Sequence, residues 1–513
     1  MKLGDAFIIP PGVMRASSLI VGVLVVALSY GGPTTGVAMA NGRVAPESVA
    51  GGGNNYNVWP TRNPAVDVLN VQWAVDHVRP GGVVRLKGQN KFTGMPAAFN
   101  FGNDGSVKVT RSVSIKGEVD DAGNLLATID GGNKPFTCDD PSIVLEISNL
   151  RFDGARRAAV YVRQSAAVTI TGNVMVNLLA VRDIGYPNPL QVTTPPVKYD
   201  PLPYFAASGI EMGLLTCEHP APAPPNACPD TVHLGSVEIS DNFIDLGIYE
   251  KGNLVDPTIA YPNFRETDHA ALEDTSFSGI VLVAADLEAK ISGNTVKNTN
   301  RRAIHPLDTF GSTEIVGNTV VMSPFSSAAP GQTSSGGNGK RNFGIFPLNG
   351  NRNIDSANHG AVHTIVGNTV YLASDIGLVD GPHGNAILVI NGQSDAVVSQ
   401  NRVIYVAGAR NGIVVAGNNS SVLFAKPLYT IIDHNVIDAS SHPLDPSSTP
   451  AHILVFQANS TTIDTNSYLG ALPRFVILGL GTGVVDSAHP NTIVDDKCGT
   501  SLISFANASC TLP

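Results

Sequence analysis

Ile291-Ser292-Gly293-Asn294-Thr295-Val296, Ile315-Val316-Gly317-Asn318-Thr319-Val320 and Ile365-Val366-Gly367-Asn368-Thr369-Val370 are one phrase written three times, with 24 residues between the first two Asn. Looser copies carry Asn173 and Asn242 upstream, and Asn401, Asn435 and Asn466 downstream. A second phrase, Gly or Ala (once His) followed by Ile or Val, precedes each copy. It occurs as Ala159-Val160, Gly209-Ile210, Gly279-Ile280, Ala303-Ile304, Gly344-Ile345, Ala386-Ile387, Gly412-Ile413 and His452-Ile453. A period in the twenties, built of short β-branched runs joined by Asn and Gly turns, is the mark of a β-solenoid.

The chemistry of the phrase supports that reading. Coils stack at the strand spacing of about 4.8 Å. An Asn at one inward turn position then bonds up and down a column and satisfies backbone groups that the turn would otherwise bury bare. A Gly before it allows the left-handed backbone of a tight corner. Leucine-rich repeats also use Asn columns, but their Leu framework is absent here and Val, Ile and Thr dominate. The expected fold is all-β, a right-handed parallel β-helix with a ladder of Asn173, Asn242, Asn294, Asn318, Asn368, Asn401, Asn435 and Asn466. Copies with longer spacings must carry loop insertions.

Composition agrees and excludes several function classes. Only 14% of the 513 residues are charged, against 52 Gly and 35 Pro, which excludes a coiled coil. A formal net charge of −10 argues against nucleic acid as a partner, because phosphate binding needs a basic surface. Arg15, the apolar run Ser18 to Leu28 and Ala38-Met39-Ala40 read as a signal peptide over 1–40, with Met14 offered as an alternative start. An uncleaved anchor is the rival reading of that run. No second run of membrane-spanning length follows, so the expected mature chain is exported, whether secreted, periplasmic or at the cell surface. The expected domains are an N-terminal cap with the first strands over 41–110, the β-helix over 111–470 and a C-terminal cap over 471–513. The pairs Cys217/Cys228 and Cys498/Cys510 are each close enough in sequence to staple a local loop by a disulfide in an oxidising compartment. Cys138 is left over and is expected to be a buried free thiol.

Near the N-terminus, Val66 to Val78 reads as an amphipathic helix with Val68, Val71, Val75 and Val78 on one face, stopped by Pro80-Gly81-Gly82. Val83 to Leu86 begins a strand. Val113 to Gly117, Thr128 to Gly131 and Ile147 to Gly154 look like first coils, with Leu150 where the Asn column later runs. Over about residues 60–470 the chain resembles the right-handed parallel β-helix proteins of the pectin-lyase-like superfamily. That resemblance implies that the helix caps the open end of the solenoid, and that the protein acts on or binds polysaccharide outside the cytoplasm.

Solenoid function sits on loops that project from one face. Uronate lyases and epimerases need a cation to neutralise the carboxylate and a base to take the C5 proton. Asn300 to Asp308 is the densest polar cluster on a short coil. Its candidate catalytic residues are His305, Arg301, Arg302 and Asp308; candidate substrate-binding residues are Lys340, Arg341 and Asp274. His305 follows an inward Ile, so strand alternation aims it outward; Glu211 shares its column. The bland alternative is a solvated charged face. Hydrolases of this fold would use paired carboxylates, and Asp120-Asp121, Asp139-Asp140 and Asp495-Asp496 are adjacent pairs. Asp380-Gly381-Pro382-His383 loosely echoes the Asp-Pro-His-Asp signature of mannuronan epimerases. Calcium stays open as a cofactor without assignable ligands, and His359, His363 and His383 are candidate copper ligands. The competing function classes are a non-catalytic surface or adhesion scaffold and a periplasmic metal-handling protein.

Overall fold

The computed structural model describes residues 45–179 and, beyond them, the strands and turns of the later coils. Residues 1–44 and the connections 184–203, 214–231, 256–275, 325–342, 348–361, 374–383, 417–428, 442–450 and 479–490 are among those outside the description. The described chain is a parallel β-helix. Each coil contributes one strand to each of three long sheets, which hold 15, 11 and 13 strands. One coil runs Ala285–Ser292 in the first sheet, Thr295–Thr299 in the second and Arg302–Leu307 in the third. The next coil repeats that order with Ser312–Val316, Thr319–Met322 and Phe343–Ile345. Pairing is parallel and keeps like residues in register: Ile291 lies beside Ile315, and Ile315 beside Ile365. Right-handed winding is the sense that twisted L-strands favour for such crossovers.

The bore is filled by the inward residue of each strand. Ile147, Ile170, Ile239, Ile291, Ile315, Ile365, Val398, Ile432 and Ile463 form one buried column. The outward residues of the first sheet alternate with them and include the charges Glu238, Lys290 and Glu314, which lie in register and are exposed. Opposite charges facing each other across strands contribute a few tenths of a kcal/mol or so, about 0.2–1 per pair.

The Asn ladder stands as the repeat predicts. Asn173 Nδ2 donates to Asn242 Oδ1 at 2.9 Å, and the same bond links each pair onward to Asn435 and Asn466 at 2.9 Å. Each Oδ1 also accepts the backbone N–H of the preceding ladder residue, as from Asn173 N to Asn242 at 3.0 Å. The second amide hydrogen goes back to a carbonyl, as from Asn318 to Ile291 O at 2.9 Å. Leu150 begins the column: its N–H donates to Asn173 Oδ1 at 3.0 Å. The residue before each ladder position is left-handed in every coil. It is Gly at 172, 293, 317 and 367, but Asp241, Gln400, His434 and Thr465 adopt the same conformation elsewhere.

The helix is Pro64–His77, with Val71, Val75 and Val78 fully buried at the N-terminal end of the bore. Asn63 Oδ1 caps it by accepting from Ala65 N at 3.1 Å, and Pro64 opens its first turn. The buried carboxylate of Asp67 ties the helix to the solenoid. It accepts from Thr61 N at 2.7 Å, and from Asn100 N, on the first strand of the second sheet, at 2.9 Å. Burial nevertheless raises its pKa above the usual carboxylate value. A short antiparallel hairpin, Val49–Gly52 with Asn55–Val58, extends the first sheet beyond Gly82–Leu86. Cys138 is a buried free thiol, pushed up to about 11 by desolvation. Cys217, Cys228 and Cys498, and the side chain of Cys510, lie outside the described residues.

Candidate functional site

From Asn149-Leu150 onward the corner between the first and second sheets is two residues: a left-handed residue, then the ladder position. Beyond the first two coils, whose corners 87–98 and 118–127 are longer, every long connection borders the third sheet. Those at 184–203, 256–275 and 325–342 lead into its strands, and those at 214–231, 348–361 and 417–428 lead out. The later coils thus commit their insertions to the two edges of one sheet.

The third sheet also differs in burial. Its outward row runs Tyr161, Glu211, Val281, His305 by register. Phe346 continues it, one residue past the pair Ile345–Ile387, followed by Leu388, Val414 and Leu454. From Glu211 to Val414 every member of this row is buried. The inward neighbours, Ile210, Ile280, Ile304, Ile345, Ile387 and Ile413, are buried too, so the middle of this sheet is covered on both faces. Phe343, Phe346, Leu388 and Val414 form an apolar cluster separate from that of the bore.

His305 and Arg302 lie in the strand Arg302–Leu307 beside that cluster. The sequence expectation of a solvent-facing His305 is corrected here. Strand alternation does turn it away from the bore, but its exposure is 0% because the outer face is itself covered. Its ring stacks on Phe346 with centroids 4.8 Å apart, and Nδ1 lies 2.6 Å from Phe346 O. A carbonyl oxygen only accepts, so Nδ1 carries the hydrogen, and in the neutral ring Nε2 carries the lone pair. The Arg302 guanidinium lies 5.7 Å from the centre of the same Phe346 ring. Cation, imidazole and aromatic ring therefore share one site withdrawn from water, where charge interactions are stronger than at a solvated surface.

Two coils before His305 in the row, Glu211 pairs with Arg157 at 3.2 Å, with side-chain exposures of 1% and 5%. The sequence sets Glu211 in the row of His305, but its pairing with Arg157 went unread. So did Phe343 and Phe346. The signal was present, because Gly344-Ile345-Phe346-Pro347 aligns with Ala303-Ile304-His305-Pro306. Arg301, Asp308, Lys340, Arg341, Asp274 and Arg410 lie outside the described residues.

The other candidates resolve into structural roles where they are described. Asp120 accepts from Asn124 N at 2.7 Å and Ala122 N at 2.9 Å, so it closes a turn. Asp140 does the same with Ser142, while Asp139 pairs with Arg163 at 3.0 Å. His363, weighed as a copper ligand, lies fully buried on an inward position of the first sheet, between Thr313 and Ala396 in register. His359, Asp380, Pro382, His383, Asp495 and Asp496 are outside the described residues. Among the described residues no three His, Cys, Asp or Glu come together as a metal site. Nor is any described helix long and apolar enough to cross a membrane.

No family model matches the chain, and no curated protein does. Solved structures do show similarity. The mannuronan C-5 epimerase AlgE6 A-module of Azotobacter vinelandii is 11% identical, with 80% of this chain and 94% of that one covered at a TM-score of 0.33. The alginate lyase AlyF-OU02 is 13% identical, with 79% and 83% covered at 0.35. A mannuronic acid specific polysaccharide family 6 lyase from human gut microbiota is 9% identical, with 90% and 91% covered at 0.29. The chain is a parallel β-helix protein.

Proposed function

We propose that the chain is an exported polysaccharide-acting protein of the lyase or epimerase kind, working at the outer face of the third sheet. The observation that carries this reading is the convergence of the later coils' long connections on the one sheet whose outer row holds His305 and Phe346, with Arg302 beside them. Arg302, with Arg301 beside it in sequence, would hold a uronate carboxylate bidentately. That contact stabilises the enolate-like charge formed when the C5 proton leaves. His305 Nε2 would take that proton, with Phe346 O holding the ring through Nδ1–H. Expulsion of the C4 oxygen then gives a lyase; return of a proton to the other face of C5 gives an epimerase. Asp274, Asp308, Lys340 and Arg341 would bind the chain from the bordering connections. The site is buried, so polymer reaches it only when the outer face of the sheet opens.

Incubation with alginate, polymannuronate and pectate tests this, reading ultraviolet absorbance for unsaturated ends and deuterium incorporation at C5 for epimerisation. His305→Asn keeps a donor for Phe346 O and removes the base. It should abolish turnover while leaving polymer binding within about threefold, as expected when an interaction is made only in the transition state. Absence of turnover and of binding with all three polymers would favour the adhesion scaffold.

A further inference from the structure

A cavity lies on a different sheet from that site, at the capped end of the solenoid. It measures about 500 Å³, within the range of about 300–1,000 Å³ common for small-molecule sites. Its floor is the outer face of the first two strands of the second sheet, Phe99–Gly102 and Thr128–Gly131, where Asn100 and Asp130 are register partners. Thr128 lies in the same floor, and Arg62, Pro96 and Leu126 belong to the walls. The Arg62 guanidinium is fixed by donating to Pro96 O at 2.9 Å. One of its five N–H groups is used in that bond.

The loops around this cavity are built to hold their shape. Asn90 N donates to Met95 O and Ala97 N to Gly88 O, and Asn90 Oδ1 accepts from Phe92 N at 3.0 Å. That ordered loop displays Phe92 at 70% exposure and Met95 at 63%. The neighbouring loop adds Leu126 and Val119, also exposed, and packs so closely that a Cβ on Gly88 would meet Leu126 backbone at 2.5 Å. Large apolar side chains held out by a bonded loop beside a polar floor call for an explanation that scattered surface residues do not.

We infer that this cavity binds one or two neutral sugar rings of a glycan, as a site separate from that on the third sheet. Sugar hydroxyls both donate and accept. The floor answers with a carboxylate, an amide and a hydroxyl, and the wall with a guanidinium. Leu126 gives the wall an apolar side that suits the C–H face of a pyranose, and exposed Phe92, on the loop that supplies Gly88 and Pro96 to the lining, is assigned as the stacking ring. A uronate would bring its carboxylate against Asp130. The lining holds one cation, Arg62, matched by one carboxylate, Asp130, so no surplus positive charge is left to hold a uronate. Neutral rings are therefore the class that fits.

Calorimetric titration of the full chain with mannotriose, cellotriose and trigalacturonate tests this. A neutral trimer should bind, and Asp130→Ala should weaken it about tenfold or more, the effect of a lost charge-assisted hydrogen bond. Phe92→Ala should weaken it severalfold. Both residues are exposed, so folding should be unchanged by circular dichroism. His305→Asn should leave this binding untouched, which separates it from the proposed activity. Failure of both neutral trimers to bind, binding of trigalacturonate alone, or unaltered affinity in Asp130→Ala would each overturn the inference.

Discussion

The outer faces of the first and third sheets come from the same coils yet obey opposite rules. On the first sheet, outward positions are Glu238, Lys290, Glu314 and Thr364, and water reaches them. On the third, the corresponding positions are Glu211, Val281, His305, Phe346, Leu388 and Val414, and water does not. Both sheets share one bore and one strand spacing, so the backbone does not cause the difference. The two sheets differ at their edges: in the ladder coils two-residue corners join the first sheet to the second, whereas the long connections lead into and out of the third. A solenoid can thus carry a solvated face and a second buried layer on the same coils. Polar residues become chemically potent only in the second, because there they lose competition from water.

The sharpest way to break this contrast is to put a charge into the covered layer. Leu388→Lys should cost about 4 kcal/mol or more in urea unfolding, since an unpaired ammonium would be buried beside Phe346 and Val414. Phe346→Ala comes next, at about 3 kcal/mol. It removes the ring on which His305 stacks, so turnover should fall with it. The inner face of the first sheet supplies a third test. Burial alone pushes the pKa of His363 down to about 3, and neither ring nitrogen has a hydrogen-bond partner. The folded state therefore resists a proton that the unfolded chain accepts near pH 6.5. Stability is full above that pH and falls as pH drops toward 3, by at most about 1.4 kcal/mol per pH unit. His363→Leu should flatten that slope in unfolding measured from pH 7 to pH 4. The smallest effect belongs to Val397→Lys, at an outward position of the first sheet near Leu388 in the chain, where a change within about 0.5 kcal/mol is expected.

The sequence made the Asn column legible because an inward turn position repeats its chemistry once per coil. Thr465 and Gln400 show its limit: Gly alone did not mark the left-handed corner, but the Asn after it did. The candidate site was half legible. His305 and Arg302 were found as chemistry, but their burial was missed because strict alternation was assumed. Gly279-Ile280-Val281-Leu282-Val283 and Gly412-Ile413-Val414-Val415 are nearly continuous apolar runs, the pattern of strands buried on both faces. Ile365-Val366-Gly367-Asn368-Thr369-Val370 is not. The residues set in the long connections stayed unread, since those stretches have no period against which to place them.

The ladder has one more consequence, for how such a molecule can change over generations. Every amide in it points the same way, and every corner it crosses has the same length. A coil is therefore interchangeable with its neighbour at that seam. Excising 295–318 joins Asn294 to Thr319 and lets Asn294 donate to Asn368 as Asn318 did, while Ile291 meets Ile365 where Ile315 stood. Such a shortened rod is expected to fold, and it loses Arg302 and His305 in the same cut. Inheritance can thus delete or duplicate an activity by whole coils while leaving the rod that carries it intact.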